Sequence, residues 1–148
     1  MKIWIGFLVG ILAFPFLLLA DKCALRIEGN DMMKFNLTEM EAPRSCGEVT
    51  VTLVHTGKLP RNSMGHNWVL VKTEDINAVG AAAMGAGLDN EYVPPGDARI
   101  LAATKVIGGG EETSVTVDLS KLDSNTAYSF VCTFPGHFAL MKGAFKVV

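Results

Sequence analysis

The chain has 148 residues, of which 19% are charged and 49% are hydrophobic. This length suits one domain with its own core, and this balance excludes a disordered chain and a protein embedded entirely in a membrane. The formal net charge is −2 and the sequence has no cluster of lysine or arginine, which argues against nucleic acid as a partner.

The first twenty residues have the composition of an export signal. Lys2 precedes a run of 18 residues without a charge, which ends at Ala20. This pattern predicts a secretory signal peptide over residues 1–20, cleaved before a single domain at 21–148. The alternative is an uncleaved membrane anchor, which Pro15 disfavours because it interrupts the run. Both interpretations place the domain outside the cytoplasm.

The rest of the chain shows the two-residue alternation that is typical of half-buried β-strands. The clearest alternating segments are 49–53, 114–119 and 127–132, and weaker ones are 24–28, 67–72, 99–105 and 144–148. Glycine, asparagine, aspartate and proline lie between these segments, where turns would form. Many short strands joined by turns predict an all-β fold, a Greek-key antiparallel β-sandwich.

One segment departs from this alternation. Residues 74–88 are rich in alanine. Thr73 is a candidate N-cap for a helix here, and two acidic residues follow it, as in the first turn of a helix. Gly80, Gly85 and Gly87 weaken the helical pattern. We therefore predict one short helical flap outside the sandwich.

The chain has three cysteines, an odd number for an exported domain, where cysteines normally pair. Cys23 and Cys46 lie near the start of the domain beside turn-like residues, whereas Cys132 lies in an aromatic strand. The simplest assignment is a disulfide between Cys23 and Cys46 and a free Cys132. The sequence leaves the other pairings open.

The segment that begins at Cys132 carries three possible metal ligands within ten residues. They are the thiolate of Cys132, the imidazole of His137 and the thioether of Met141. A Pro-Gly turn lies between the first two, so one loop can direct all three side chains toward one point. A second imidazole is available at His66. Two histidines, one cysteine and a weak axial methionine are typical of a blue-copper site.

These segments resemble the azurin family of copper proteins. The pattern Cys132-x4-His137-x3-Met141, with Thr-Phe-Pro-Gly inside it, is similar to the azurin ligand loop, and residues 64–68 resemble the upstream ligand motif. The resemblance covers nearly all of residues 22–148, with further similar positions at 30–31, 58–60, 87–89, 120–122 and the two amino-terminal cysteines. Plastocyanin-like relatives have a shorter spacing between the cysteine and the histidine.

The resemblance implies a cupredoxin-like sandwich that holds one type 1 copper ion. Such a protein would carry single electrons in the periplasm and would not be an enzyme. Its partners would be redox proteins such as c-type cytochromes or copper reductases. A membrane would be involved only if the amino-terminal segment were retained.

The resemblance also implies roles for individual residues. His66, Cys132 and His137 would be the strong copper ligands. Met141 would be a long axial ligand, with the carbonyl of Gly65 as a weak ligand opposite it.

Other residues would support these ligands. Asn67 would connect the two ligand segments, and the backbone amide of Phe134 would donate toward the Cys132 sulfur. An apolar surface around His137 would receive redox partners, formed by Leu59, Met64, Met84, Phe134, Pro135 and Ala139. Isolated exposed apolar side chains are the alternative explanation of that surface. Phe138 is bulky where a small polar residue is common, and it would lie beside this surface.

His55 corresponds to a histidine of the family that is near the site without being a ligand. A structural role and a pH-sensing role both remain open for it.

Three other functions fit part of the donor set. A thiol enzyme would use Cys132 and His137 as nucleophile and base, but the sequence offers no evident orienting group. A zinc site would use the same two residue types, although a thioether is a poor zinc ligand. A copper chaperone would need exposed ligands that exchange the metal rapidly.

Overall fold

The computed structural model describes residues 21–148, so the predicted signal peptide at 1–20 lies outside the described residues. The strands within this part of the chain are β1 (Ala24–Asn30), β2 (Lys34–Phe35), β3 (Glu39–Ala42), β4 (Glu48–His55), β5 (Val69–Lys72), β6 (Ala102–Ala103), β7 (Glu112–Asp118), β8 (Tyr128–Val131) and β9 (Lys142–Val147). The α-helices are α1 (Arg61–Met64) and α2 (Ile76–Ala86). Single turns of 3-10 helix occur at Arg44–Cys46, Thr73–Asp75, Leu88–Asn90 and Leu119–Lys121.

The strands form two sheets that pack into a sandwich. One sheet has the order β2-β1-β4-β7, and the other has the order β3-β9-β8-β5-β6. The predicted all-β sandwich with one helical flap is confirmed. Two pairings, β1 with β4 and β3 with β9, are parallel, so the sheets are mixed where the sequence predicted antiparallel ones. The chain leaves the first sheet for β3 before it returns as β4, and such a crossover lets neighbouring strands run in the same direction.

Strand β4 shows how the alternation in the sequence builds the core. Val49, Val51 and Leu53 point inward and are almost completely buried, while the residues between them are more exposed. His55 continues this inward face at the end of the strand and is fully buried. The core-facing side of β4 therefore leads directly to a buried histidine.

The five-stranded sheet is covered on both faces. Trp68 and Phe130 point into the sandwich core, where their rings stack with centroids 6.2 Å apart. Val69, Val71 and Val131 point to the opposite face, because successive residues of a strand alternate sides. That outer face packs against Ile76 and Val79 of α2, which is the predicted flap.

Several local predictions need correction. Thr73 does not cap α2, since its hydroxyl pairs with that of Ser129 at 2.8 Å and Asp75 occupies the cap position. The predicted strand at 99–105 is reduced to β6. The sequence did not predict the short elements β2, β3 and α1. No helix among residues 21–148 is long and apolar enough to span a bilayer.

The cysteines are arranged as predicted. Cys23 and Cys46 form a disulfide that joins the start of β1 to the turn before β4. Cys132 is free and fully buried.

Candidate metal centre

Two neighbouring strands bring the first two candidate ligands together. Strands β5 and β8 are antiparallel, and Val69 pairs with Val131. His66 lies just before β5 and Cys132 just after β8, so both residues reach the same end of the sheet. The antiparallel pairing thus brings side chains 66 residues apart in sequence into contact.

The three donors form one compact, buried group. The Cys132 sulfur lies 3.9 Å from Nδ1 of His66 and 3.6 Å from Nδ1 of His137, and all three donor atoms lie within 4.8 Å of one another. A thiolate at about 2.3 Å and an imidazole at about 2.0 Å from one ion, roughly 120° apart, would be separated by about 3.7 Å. The donor set therefore fits a single metal ion in a trigonal arrangement.

The protein orients His66 through its second ring nitrogen. Nε2 of His66 lies 2.8 Å from the carbonyl oxygen of Asn30 and donates to it, which leaves the lone pair of Nδ1 facing Cys132. Gly29 makes room for the ring, because a Cβ atom at this position would lie only 2.7 Å from Cδ2 of His66.

Burial keeps both histidines neutral at physiological pH. It lowers the pKa of His66 to about 4, even though the Asn30 carbonyl favours the protonated ring. Burial also lowers the pKa of His137 to about 4, with a smaller contribution from the neighbouring His66. Both imidazoles can therefore offer a lone pair to a metal ion without first losing a proton.

Cys132 is in a different protonation state. Burial raises the pKa of its thiol to about 12, against the opposing effect of the backbone amides of Asn67 and Phe134, which donate to the sulfur. The thiol is protonated at neutral pH until a cation takes the place of its proton. A buried thiol with a raised pKa is a poor nucleophile, which argues against the thiol-enzyme alternative.

The loop from His137 to Met141 forms one closed turn. The carbonyl oxygen of His137 accepts hydrogen bonds from the amides of Leu140 and Met141 at 2.9 and 2.8 Å. The carbonyl oxygen of Met141 in turn accepts from the amide of Cys132 at 2.9 Å. Met141 is fully buried in the same cluster as Cys132. Gly65, the predicted weak ligand, is also buried, and a Cβ atom there would lie 2.5 Å from a methyl group of Val106.

Asn67 connects the two ligand segments through its side-chain amide. Its Oδ1 accepts from the amide of Thr133 at 2.8 Å, and its Nδ2 donates to the Thr133 hydroxyl at 2.8 Å. The same Nδ2 donates to the carbonyl oxygen of Glu91 at 2.8 Å, while the Thr133 hydroxyl donates to that of Tyr92 at 2.7 Å. Asn67 therefore joins the segments of both ligands to a third segment.

The sequence did not reveal this third segment. Glu91 and Tyr92 have φ angles of 57° and 51°, in the left-handed region that non-glycine residues rarely adopt. The Glu91 carboxylate holds the segment in place by accepting from Nη2 of Arg61 and from the amide of Val106, both at 2.7 Å. No glycine or asparagine at position 91 or 92 marks this conformation.

His55 lies behind the metal group and is not part of it. Its ring stacks on that of His66 with centroids 4.4 Å apart and an angle of 21° between the planes. Nδ1 accepts from the amide of Gly57 at 3.0 Å, so Nε2 carries the proton and donates to the carbonyl of Met64 at 2.8 Å. Both ring nitrogens are thus occupied by the backbone.

The predicted docking surface is only partly exposed. The exposed members are Leu59, Met84, Pro135 and Ala139, and Met64 is half-buried. Phe134 is buried beneath this surface, with its ring 4.7 Å from that of His137. The prediction omitted Leu140, which is 69% exposed beside Met141. Leu140 lies in the ligand loop between Ala139 and Met141, and this position was the signal available in the sequence.

Comparisons with known proteins agree with this geometry. Residues 21–148 match the family of copper binding proteins described as the plastocyanin/azurin family. The chain is 54% identical over 136 residues to azurin from Bordetella pertussis, covering 92% of this chain and 91% of that protein. It is 50% identical over 136 residues to azurin from Pseudomonas aeruginosa, covering 92% and 90%.

A solved structure is similar as well. It is an azurin (Az-iso2) from Methylomonas sp. strain J, with a TM-score of 0.83, 41% identity and coverage of 86% of this chain and 99% of that one. The azurin resemblance and copper as the cofactor are confirmed. The chain belongs to the plastocyanin/azurin family of copper-binding proteins.

Proposed function

We propose that this protein carries single electrons between redox proteins in the periplasm, through one type 1 copper ion held by His66, Cys132 and His137. The observation that carries the proposal is the buried group of one sulfur and two imidazole nitrogens within 4.8 Å. Bound copper would supply a one-electron Cu(II)/Cu(I) couple, for which this donor set is suited.

The residues around the donors favour rapid electron transfer by holding the ligands still. His66 is fixed by Asn30, and the Cys132 sulfur accepts from two backbone amides. Asn67 fixes the backbone next to both residues. Ligands that keep their positions in both oxidation states need little rearrangement when an electron arrives or leaves. The same rigidity and burial argue against a copper chaperone, which must exchange its metal.

The surface next to His137 supports docking of a redox partner. His137 itself is 2% exposed, but Pro135, Ala139 and Leu140 of the same loop are exposed. Together with the exposed side chains of Leu59 and Met84, they would form the apolar surface at which a c-type cytochrome or a copper reductase binds.

Export is supported by two independent features. The apolar run after Lys2 has the pattern of a signal peptide. The Cys23–Cys46 disulfide requires an oxidising compartment, which the periplasm provides. Expression of the full chain in a bacterium, followed by fractionation and mass measurement, tests this part. We expect periplasmic protein that begins near Asp21; full-length protein in the membrane fraction would show an anchor instead.

The copper function is tested by adding Cu(II) to copper-free protein of residues 21–148 and recording the visible spectrum before and after a mild reductant. We expect an intense thiolate-to-copper charge-transfer band that bleaches on reduction and is absent in Cys132→Ser. Copper uptake without this band would show that Cys132 is not a ligand. Rapid loss of the copper to an acceptor chelator would favour the chaperone.

A further inference from the structure

Phe138 lies between two candidate ligands but does not extend into the docking surface. Its ring packs against Gly80 of α2, where a Cβ atom would lie 2.5 Å from Cγ, 2.6 Å from Cδ2 and 2.9 Å from Cδ1 of the ring. These distances are too short for any side chain, so only glycine leaves room for the ring. The Phe138 ring thus fills the space that the missing side chain of Gly80 leaves on α2.

This contact holds the ligand loop from the outer face of the five-stranded sheet. Phe138 packs against the cluster formed there by α2 and the sheet, which includes Val131. Cys132, which follows Val131 in the chain, points to the opposite face, into the sandwich core. Met141 also lies in this core. The loop is therefore anchored on one face by its ligands and on the other face by Phe138.

The closed turn links the ring to both ligands. The His137 carbonyl accepts from the amides of Leu140 and Met141, so residues 137–141 form a single hydrogen-bonded turn. Because the ring is held between α2 and the sheet, we expect a displacement of Phe138 to move the backbone of this turn. Such a movement would displace His137 at one end and Met141 at the other.

We propose that Phe138 is a positioning residue for the copper site. Its ring, seated against Gly80, fixes the turn that carries His137 and Met141 to α2 and so sets the positions of both ligands. This proposal rests on the copper function proposed above. Helix α2 supplies no ligand, but through this contact it would act on the turn that carries His137 and Met141.

A double-mutant cycle tests the contact between Gly80 and Phe138. Its four proteins are unchanged residues 21–148, Gly80→Ala, Phe138→Ala, and the variant with both substitutions. Gly80→Ala pushes the ring away, so we expect a shifted charge-transfer band and a copper affinity lower by roughly tenfold. In the double variant the smaller side chain removes the clash, so adding Gly80→Ala to Phe138→Ala should cause little further change. Additive effects of the two substitutions on band position and affinity would overturn the proposal.

Gly85→Ala is the matched control on the same helix, since a Cβ atom there meets nothing within 4 Å. It should leave the band and the affinity unchanged. A Gly80→Ala protein that resembles this control would also overturn the proposal. If Gly80→Ala does not fold, Phe138→Ala alone tests the proposal. An unaltered spectrum and copper affinity in Phe138→Ala would then contradict a positioning role for Phe138.

A second measurement separates this proposal from the copper function. In copper-free protein, Phe138→Ala should speed hydrogen exchange at the amides of Leu140 and Met141, because the turn loses its outer anchor. Unchanged exchange would contradict the proposal. The copper function fails on a different result, the absence of a charge-transfer band in the unchanged protein.

Discussion

Strand β4 joins two ends of the molecule that are held in different ways. Just before its start, Cys46 forms a disulfide with Cys23, and both residues are half-buried. At its other end, roughly 26 Å away by strand geometry, His55 stacks on His66 within a fully buried network. One end relies on a covalent bond, and the other relies on hydrogen bonds and packing.

The difference follows from what each end has to do. A disulfide limits how far two segments can separate, but it does not direct the lone pairs of nearby side chains. The hydrogen bonds at the metal end do direct them: Nε2 of His66 is bound to Asn30, so Nδ1 faces the Cys132 sulfur. Because the protein's own hydrogen bonds direct these side chains, we expect the metal end to have its ligand geometry before a metal binds. Damage to the two ends should therefore have different consequences.

The largest loss of stability is expected from replacing Cys23 and Cys46 together by alanine. This disulfide closes a loop between cysteines that are 23 residues apart, and its removal should lower the free energy of unfolding by about 3 kcal/mol. Urea unfolding of the copper-free protein measures the loss. The visible spectrum of the copper form should be unchanged, since the disulfide lies at the far end of β4. A changed spectrum would show that the two ends are coupled.

Asn67→Ala should cost somewhat less stability but should alter the copper site. It removes three hydrogen bonds of 2.8 Å, and we expect a loss of about 2 kcal/mol in the free energy of unfolding. Copper affinity should fall by about tenfold or more, because Asn67 orients both ligand segments. Asn36→Ala is the control, since its single exposed bond to the Glu28 amide lies outside the site. Equal copper affinities in the two variants would contradict this role.

Copper binding should depend on pH through one proton. At neutral pH both histidines are already neutral, with pKa values of about 4, while the pKa of Cys132 is about 12. Binding must therefore release the thiol proton, and the affinity should rise by about tenfold per pH unit between roughly pH 5 and 9. Chelator competition at several pH values, corrected for protonation of the chelator, measures the slope. Cys132→Ser should lose this dependence, and a slope of zero in the unchanged protein would show that no thiolate forms.

The smallest effect is expected at the docking surface. Met64→Lys places a charge on the half-buried edge of that surface, so electron exchange with a c-type cytochrome should slow by several-fold while the spectrum stays the same. Val148→Lys is the control, because Val148 is exposed and its carbonyl accepts from the Arg44 amide near the disulfide. Equal rates for the two variants would remove Met64 from the docking surface.

Local patterns were sufficient to predict most of the fold. The alternation at 49–53 gave β4 because one face of that strand is buried and the other is not. The spacing between Cys132 and His137 predicted that these two side chains meet, because a short loop leaves few alternatives. The sequence could not show that β1 and β4 run parallel, since strand direction depends on a crossover through the second sheet.

The support of the site could not be predicted in the same way. Glu91 and Tyr92 adopt left-handed backbone angles only because Arg61, Val106 and Asn67 hold them there, and these partners lie far away in sequence. Thr73 looked like a helix cap, but its hydroxyl found Ser129 on a neighbouring strand. In each case a long-range contact decided the local structure.

The protein should hold its copper ligands in place by its own hydrogen bonds before the metal arrives. Crystal structures of residues 21–148 without metal and with Cu(II) test this most directly. We predict copper bound to Nδ1 of His66, Nδ1 of His137 and Sγ of Cys132, with these atoms displaced by less than about 1 Å between the two structures. Copper bound elsewhere, or a ligand loop that rearranges on binding, would contradict this expectation.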